Sequence, residues 1–456
     1  MNPATASLPE SAADRARFVR DHLPDHGLFA GHEWRISPTP FKLSAEMAKD
    51  IESLGRILLQ FNKAVNRLYR LSLEGKQPSW VAQWLDLGKP AELLELQRSA
   101  AFKNDFPRVI RPDLLITDTG LAVTELDSVP GGIGLTAWLN QTYSNLAGRD
   151  GILPSQTPPP IIGGADGILR GFASIFGDAK TVHLIISEES ATYRPEMQWL
   201  TGQLGNSRFK IQDSNFTQFE DGDAIYRFFE LFDAPNVANS KTIFDLASQE
   251  RLHVTPPPKP VFEEKMLFAL LWNRNLRAFW RQELGEGFLN RLLKLTPYAW
   301  LVDPAPLPPQ GAIPELNLTS WDQLKGLSQR ERELILKVSG FSPKAWGARG
   351  VYLGNDLSHA DWSAAVDEAV AAFPASPHIL QRYQKPGLVD FQWFDFAKNE
   401  LVPMPGRVRL SPYYFVTGDG DAARAALGGI LATVCPANKK IIHGMTEAVF
   451  APCSIV

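Results

Sequence analysis

Hydrophobic and polar positions alternate in two distinct rhythms along this chain. Met47, Ile51, Leu54, Leu58, Phe61, Val65 and Leu68 recur in steps of four and three. That spacing predicts one amphipathic helix of about seven turns, with Ser44 placed to cap its start. The stretch before it, residues 1 to about 40, is polar and proline-punctuated, with one short helix expected near 11–22 and SPTP at 37–40 closing it. From about residue 160 the rhythm changes. VHLIIS (182–187) reads as a buried strand, 195–204 as a helix, and FKIQD (209–213) and AIYRFFELFD (224–233) as strands. Strand and helix in alternation predict a parallel, Rossmann-like α/β unit over about 160–255. PPPKP at 256–260 is a linker, 263–271 and 276–293 read as helices, and the proline cluster at 303–315 as an exposed loop. ELILKV, VYLG, HILQRY, LVDFQWFDF and VRLSPYYFVTG then supply strands to the C-terminus. No repeat or low-complexity tail is present.

One place breaks the pattern with charge. In RPDLLITDTGLAVTELD (111–127), two apolar runs flank Asp118-Thr119-Gly120, which reads as a three-residue hairpin loop with glycine in the left-handed position. A turn centred on Thr119 sets Thr117 against Leu121, Asp113 against Glu125 and Arg111 against Asp127, unless a bulge slips the pairing by one. Alternation along each strand then gathers all four charges on one patch. Two carboxylates about 5 Å apart repel by roughly 3 kcal/mol at an effective dielectric near 20, and Arg111 offsets only part of that. The patch is therefore expected to need a counter-ion, and hard oxygens at this spacing suit Mg²⁺. On this reading, removing Glu125 or Asp127 relieves repulsion and leaves the fold intact. A solvated face with incidental charge is the plain alternative.

Composition narrows the classes. At 456 residues the chain is long for one core and suggests two or three packed subdomains. It is 44% hydrophobic and 21% charged with a net charge of −4, which gives no reason to expect a nucleic-acid or acidic-membrane partner. Cys435 and Cys453 are too few for a disulfide framework. No apolar run reaches the roughly 18 residues of a membrane span, and the first residues lack a signal-peptide core, so a cytoplasmic location is expected.

Further candidates are sparse. Lys337 sits inside an apolar strand, where an ammonium is out of place unless it meets an anion such as a nucleotide phosphate; a snorkelling edge lysine is the alternative. The loop from Gly340 to Gly350 carries three glycines with Lys344 and Arg349 among them, an anion cradle in kind, although it matches neither a P-loop nor a dinucleotide fingerprint. His443-Gly444 has no paired Ser or Cys elbow, which argues against a general base there. Tyr226 to Glu230 places polar side chains within an apolar strand, as an interdomain or substrate-facing strand would, or an edge strand.

Taken in order, these pieces resemble the circularly permuted ATP-grasp proteins, the group that includes the synthetase domain of glutathionylspermidine synthase. The resemblance rests on Arg111-Pro-Asp113, Glu125-Leu-Asp127, the turn Pro130 to Leu135, and then YRFFELFD, EKMLFALL, ELILKVSG, LQRY and HGMTEAVFAPC in the same order. It spans about residues 100–456, leaving 1–99 as an N-terminal helical region without a motif. It implies an α+β ATP-grasp fold with ATP between two lobes. Asp113, Glu125 and Asp127 would hold two Mg²⁺ ions, and Arg111 would stabilise transferred charge. Lys337 and Lys344 would contact phosphates, and backbone at Gln381, Arg382 and Tyr383 the adenine edge. Arg409, with Arg407 as the alternative, would reach the γ-phosphate or the substrate carboxylate. The implied activity is an ADP-forming carboxylate–amine ligase acting on small molecules through an acyl phosphate. A degenerate nucleotide- or partner-binding protein and an ATP-grasp phosphotransferase are the competing readings. Asp127 stands where some relatives carry asparagine, and Phe341, Pro343 and Trp346 make the glycine loop bulkier than the group's pattern.

Overall fold

The computed structural model describes residues 11–24, 34–147, 160–205, 207–305, 313, 315–345, 349–442 and 447–456. Three sheets organise them. The largest runs in the order Phe41–Leu43, Val449–Ile455, Arg424–Pro436, Glu400–Thr417, Val109–Thr117, Gly120–Asp127, with Val389–Asp395 also paired to Glu400–Thr417. It is antiparallel except where Phe41–Leu43 joins Val449–Ile455. The second sheet is parallel, in the order Phe209–Gln212, Val182–Ile186, Ala224–Phe228, His253–Thr255. The third is antiparallel, in the order Val351–Leu353, Leu334–Val338, His378–Arg382, Ala299–Leu301. The architecture is thus mixed α/β with several sheets.

The long helix forms as its stripe predicts, from Ala45 to Leu73, with the Ser44 hydroxyl accepting the Met47 N–H at 3.2 Å. Its apolar face, including Ile51, Leu58 and Val65, packs on Leu114, Val408, Leu410 and Val434 of the large sheet. The approach is close: a Cβ on Gly55 would lie 2.4 Å from the Tyr414 ring. The opposite face of the sheet packs Tyr413, Phe415 and Leu431 against the helices Ile133–Ala147 and Gly167–Ser174. The central strands are therefore covered on both sides, which holds any side chain on Glu400–Thr417 in a fixed frame.

Two expected elements differ. The strand starting at Ala224 ends at Phe228, not at 233, and Leu231–Asn236 is a 3₁₀ turn. The Leu231 N–H donates to a Glu263 carboxylate oxygen at 2.8 Å instead of to a neighbouring strand, so the ladder stops there. The helix at 263–271 starts late, at Met266, because Glu263, Glu264 and Lys265 each turn toward a partner elsewhere. Trp346 and His443-Gly444 lie outside the described residues.

Candidate active site

The hairpin sets the geometry, through a register different from the one its loop predicts. Thr117 pairs with Gly120, so the turn is the two residues Asp118-Thr119. Carried along the strands, that slip would swing Glu125 and Asp127 to the opposite face. A β-bulge cancels it. Leu114 pairs with Val123 and Asp113 with Glu125, leaving Thr124 as the extra residue, and Arg111 lies opposite Asp127. The Thr124 hydroxyl secures the bulge by donating to the Asp113 carbonyl at 3.3 Å.

The counter-ions to this patch are the chain's own. Arg111 Nη2 donates to Asp127 Oδ2 at 2.8 Å, and its Nε lies 3.4 Å from Asp113. Arg409 Nη1 donates to Asp113 Oδ2 at 3.1 Å, and the Ser411 hydroxyl to Oδ1 at 3.0 Å. Both come from Glu400–Thr417, two residues apart and so on one face. Lys265 Nζ stands 2.9 Å from Glu125. Lys337 crosses from the third sheet to donate to the Thr124 carbonyl at 3.1 Å and to Gln381 Oε1 at 2.9 Å. Repulsion across the hairpin is therefore offset without an external ion, and removing Glu125 would take away the carboxylate that Lys265 pairs with, where the sequence predicts only relief of repulsion and an intact fold.

Titration follows this wiring. Burial opposes ionisation of Glu125, but the ammonium groups of Lys265 and Lys337 outweigh it and bring the carboxyl down to about 2. Burial pushes the Lys337 ammonium down to about 8, against the pull of Glu125. Asp127 is raised by burial and by Glu125, with Arg111 opposing. Glu230 is pushed well above the usual carboxylate range by burial, Glu263 and Asp127. Beneath the hairpin, Glu196 accepts the Gly132 and Leu135 N–H groups at 2.7 and 2.9 Å, and burial raises it to about 7.

The hairpin charges and the arginine and lysines that pair with them line one cavity of 380 Å³ where the three sheets meet. Arg111, Asp113, Glu125, Asp127, Lys337 and Arg409 line it, as do Gln381, Arg382 and Tyr383. Lys344 does not; its ammonium pairs with Glu368 at 2.8 Å on the surface. Arg407 is not in the lining either, since it donates to the Ala437 carbonyl at 2.9 Å and to that of Pro386. The Arg382 and Tyr383 N–H groups are spent on the carbonyls of Tyr298 and Glu333 at 2.9 and 3.0 Å. Gln384, the next residue, lines the cavity as well. On the far wall, Thr192 and Tyr193 follow Val182–Ile186, and Glu230 follows Ala224–Phe228. Strand order reverses between those two strands, so the cavity opens at the carboxyl-end switch point where parallel sheets bind ligands.

Lys265, Glu230, Glu263 and Tyr193 also line the cavity and escaped the sequence reading. For Lys265 a signal existed: Glu-Glu-Lys stands directly before the apolar run Met266–Trp272. Glu230 stands out in the sequence as a polar residue at the end of an apolar run, but nothing local says which way it faces.

The resemblance implies Mg²⁺, and the donor set can be tested for it. Among the described residues no three His, Cys, Asp or Glu side chains form a metal cage. Both oxygens of Asp113 are engaged by Ser411 and Arg409, and both of Asp127 by Arg111 and the Val129 N–H. The Glu125 carboxylate holds a single ion pair, and the Glu230 carboxylate no hydrogen bond or ion pair among the described residues. Mg²⁺ commonly takes one or two carboxylates together with phosphate and water oxygens, and Glu125 and Glu230, which line the cavity, are the acids that would hold it, with Asp113 tied into the sheet.

No protein-family model and no curated protein matches the chain. Among solved structures, a glutathione synthetase-like effector from Globodera pallida in its apo form aligns over 100% of this chain and 99% of its own, with a TM-score of 0.57 at 10% identity. The two chains share a fold from end to end. A Methylobacillus flagellatus protein assigned provisionally to gamma-glutamylcysteine synthetase aligns over 87% and 88% at 12% identity, with a TM-score of 0.40, too loose a superposition to inform the fold. Among the described residues no helix is long and apolar enough to cross a membrane.

Proposed function

We propose that the chain is an ATP-dependent carboxylate–amine ligase of the ATP-grasp kind, releasing ADP and phosphate. The observation that carries this reading is the convergence of Arg111, Lys265, Lys337 and Arg409 with the hairpin acids in one cavity, with no nucleophile–base pair needed among them. Phosphoryl transfer depends on positioning and charge stabilisation, and such a cavity supplies both.

In this reading Lys265 and Lys337 bind the nucleotide phosphates, and Gln384 meets the base. Arg409, aimed by Asp113, and Arg111, aimed by Asp127, hold the substrate carboxylate and the charge that develops on the γ-phosphoryl group. The carboxylate oxygen attacks the γ-phosphorus, the bond to the bridging oxygen breaks, and ADP leaves an acyl phosphate. The amine nitrogen then attacks the acyl carbon, phosphate departs, and the amine gives up a proton. Mg²⁺ bound through Glu125 and Glu230 would neutralise phosphate charge during the transfer.

The test is product analysis. ADP release is screened across carboxylates paired with amines, and the carboxylate of any active pair is labelled with ¹⁸O. A ligase passes one label into inorganic phosphate. A phosphorylated product that accumulates without the amine supports the phosphotransferase, and nucleotide binding without ADP release supports the degenerate protein.

A further inference from the structure

The lysines of the cavity do not hold themselves in place. Glu263, Glu264 and Lys265 form a junction whose three side chains point into three different parts of the molecule. Glu263 pairs with the fully buried Arg227 of the parallel sheet at 2.7 Å. Lys265 reaches Glu125 of the hairpin at 2.9 Å and donates to the Ala345 carbonyl at 2.9 Å. Glu264 turns away from the cavity. It meets Lys89 at 2.5 Å, with side-chain exposures of 1% and 0%, and it accepts the Ser339 hydroxyl.

Ser339 follows Leu334–Val338, the strand that carries Lys337. Its hydroxyl also accepts the Met266 N–H at 2.8 Å, and its carbonyl accepts the Lys265 N–H at 2.9 Å. The backbones flanking both cavity lysines are thus tied to one carboxylate, and that carboxylate is neutralised by one ammonium. The fit leaves no slack: a Cβ on Gly340 would lie 2.3 Å from the Glu263 carbonyl, and one on Gly88 2.0 Å from the Ala375 carbonyl, with Gly88 at φ +71. Phe341 lies over Lys89, ring centroid to Nζ 5.8 Å.

We infer that Lys89, from the N-terminal region, is a positioning residue: its buried ion pair with Glu264 aligns Lys265 and Lys337 in the cavity. What those lysines are aligned for rests on the ligase reading; the alignment itself does not. Replacing a buried pair by well-packed neutral groups is often neutral for stability, whereas removing one partner strands the other charge. The double variant Lys89→Met/Glu264→Gln therefore separates alignment from folding, because the amide introduced in place of Glu264 keeps an acceptor for Ser339.

The experiment is competitive acetylation of the apo protein with trace acetic anhydride, resolved by residue in a mass spectrometer, with the exposed Lys344 as internal reference. Wild type and Lys89→Arg should protect Lys265 and Lys337 alike. The double variant should melt within a few degrees of wild type while both lysines react at least tenfold faster relative to Lys344. Unchanged protection in a folded double variant would overturn the proposal, and so would failure of Lys89→Arg to preserve it. Thermal shift with Mg·ATP is run in parallel. A wild type that shows no shift counts against the ligase reading and leaves the acetylation result to decide the role of Lys89.

Discussion

Lys337 Nζ donates to the carbonyl of Thr124 at 3.1 Å, joining a buried lysine of one sheet to the bulge residue of another. The bulge keeps Glu125 and Asp127 on the cavity face, and the carbonyl it leaves outside the ladder becomes the lysine's acceptor. One irregular residue thus serves both the acids and the cation.

Deleting Thr124 follows directly as a test. With the extra residue gone the ladder would run unbroken from the two-residue turn, leaving Glu125 opposite Asp113 and Asp127 opposite Arg111, and what is lost is the bulge carbonyl that accepts from Lys337. Nucleotide-induced stabilisation should weaken, because Lys337 loses the acceptor that fixes it. Thr124→Ala keeps the backbone and loses only the 3.3 Å hydroxyl contact, a loss of about 1 kcal/mol, and should still respond to nucleotide. Equal behaviour of the two variants in thermal unfolding would contradict this role for the bulge.

Glu125→Gln should destabilise the apo protein. The folded carboxyl lies at about 2, below its ordinary 4.5, so its contribution is complete above pH 4.5 and is lost as pH falls toward 2. The side chain is 36% exposed, and solvent screening reduces the effect to about 1–2 kcal/mol. Urea unfolding at pH 7 should show that difference, and it should shrink as the pH is lowered from 4.5.

Glu196→Gln should act in the opposite sense. This carboxyl is fully buried and raised to about 7, so the native state holds a proton that the unfolded chain has released, and wild type loses stability as pH climbs from 4.5 through 7. The substitution removes that loss, whose ceiling is about 3 kcal/mol. It gives back about 1 kcal/mol because an amide has one acceptor oxygen for the two N–H groups. Chemical denaturation should therefore rank the variant below wild type near pH 4.5 and above it at pH 8. A difference independent of pH would contradict the burial of charge at this position.

What could be read from the chain beforehand divides along physical lines. The long helix was legible because Met47 to Leu68 repeat with one period and Ser44 supplies a local cap. The facing of Asp113 with Glu125 and of Arg111 with Asp127 was legible too, although two deviations cancelled to produce it: a tighter turn and a bulge at Thr124. The short strand at 224–228 was not, since its end depends on Glu263, some thirty residues away. Lys265, Glu230 and Tyr193 face the cavity only because three sheets meet there, and no window of sequence contains that meeting. Lys344 shows the converse. A cation in a glycine-rich loop has the composition of a phosphate cradle, yet its ammonium rests on Glu368.

The central claim is that the cavity binds the phosphates of Mg·ATP through its buried lysines, and thermal unfolding of wild type and Lys337→Met tests it most directly. Because burial holds Lys337 at about 8, the methionine variant should be no less stable than wild type below pH 8, with wild type gaining on it as pH rises toward 10.5. Loss of binding can then be told from loss of fold. With ATP and Mg²⁺ together at about 100 times the dissociation constant, wild type should gain roughly 2.7 kcal/mol. It should gain less with either alone, and Lys337→Met should gain nothing. An equal gain in the folded variant, or none in wild type at millimolar ligand, would contradict the account.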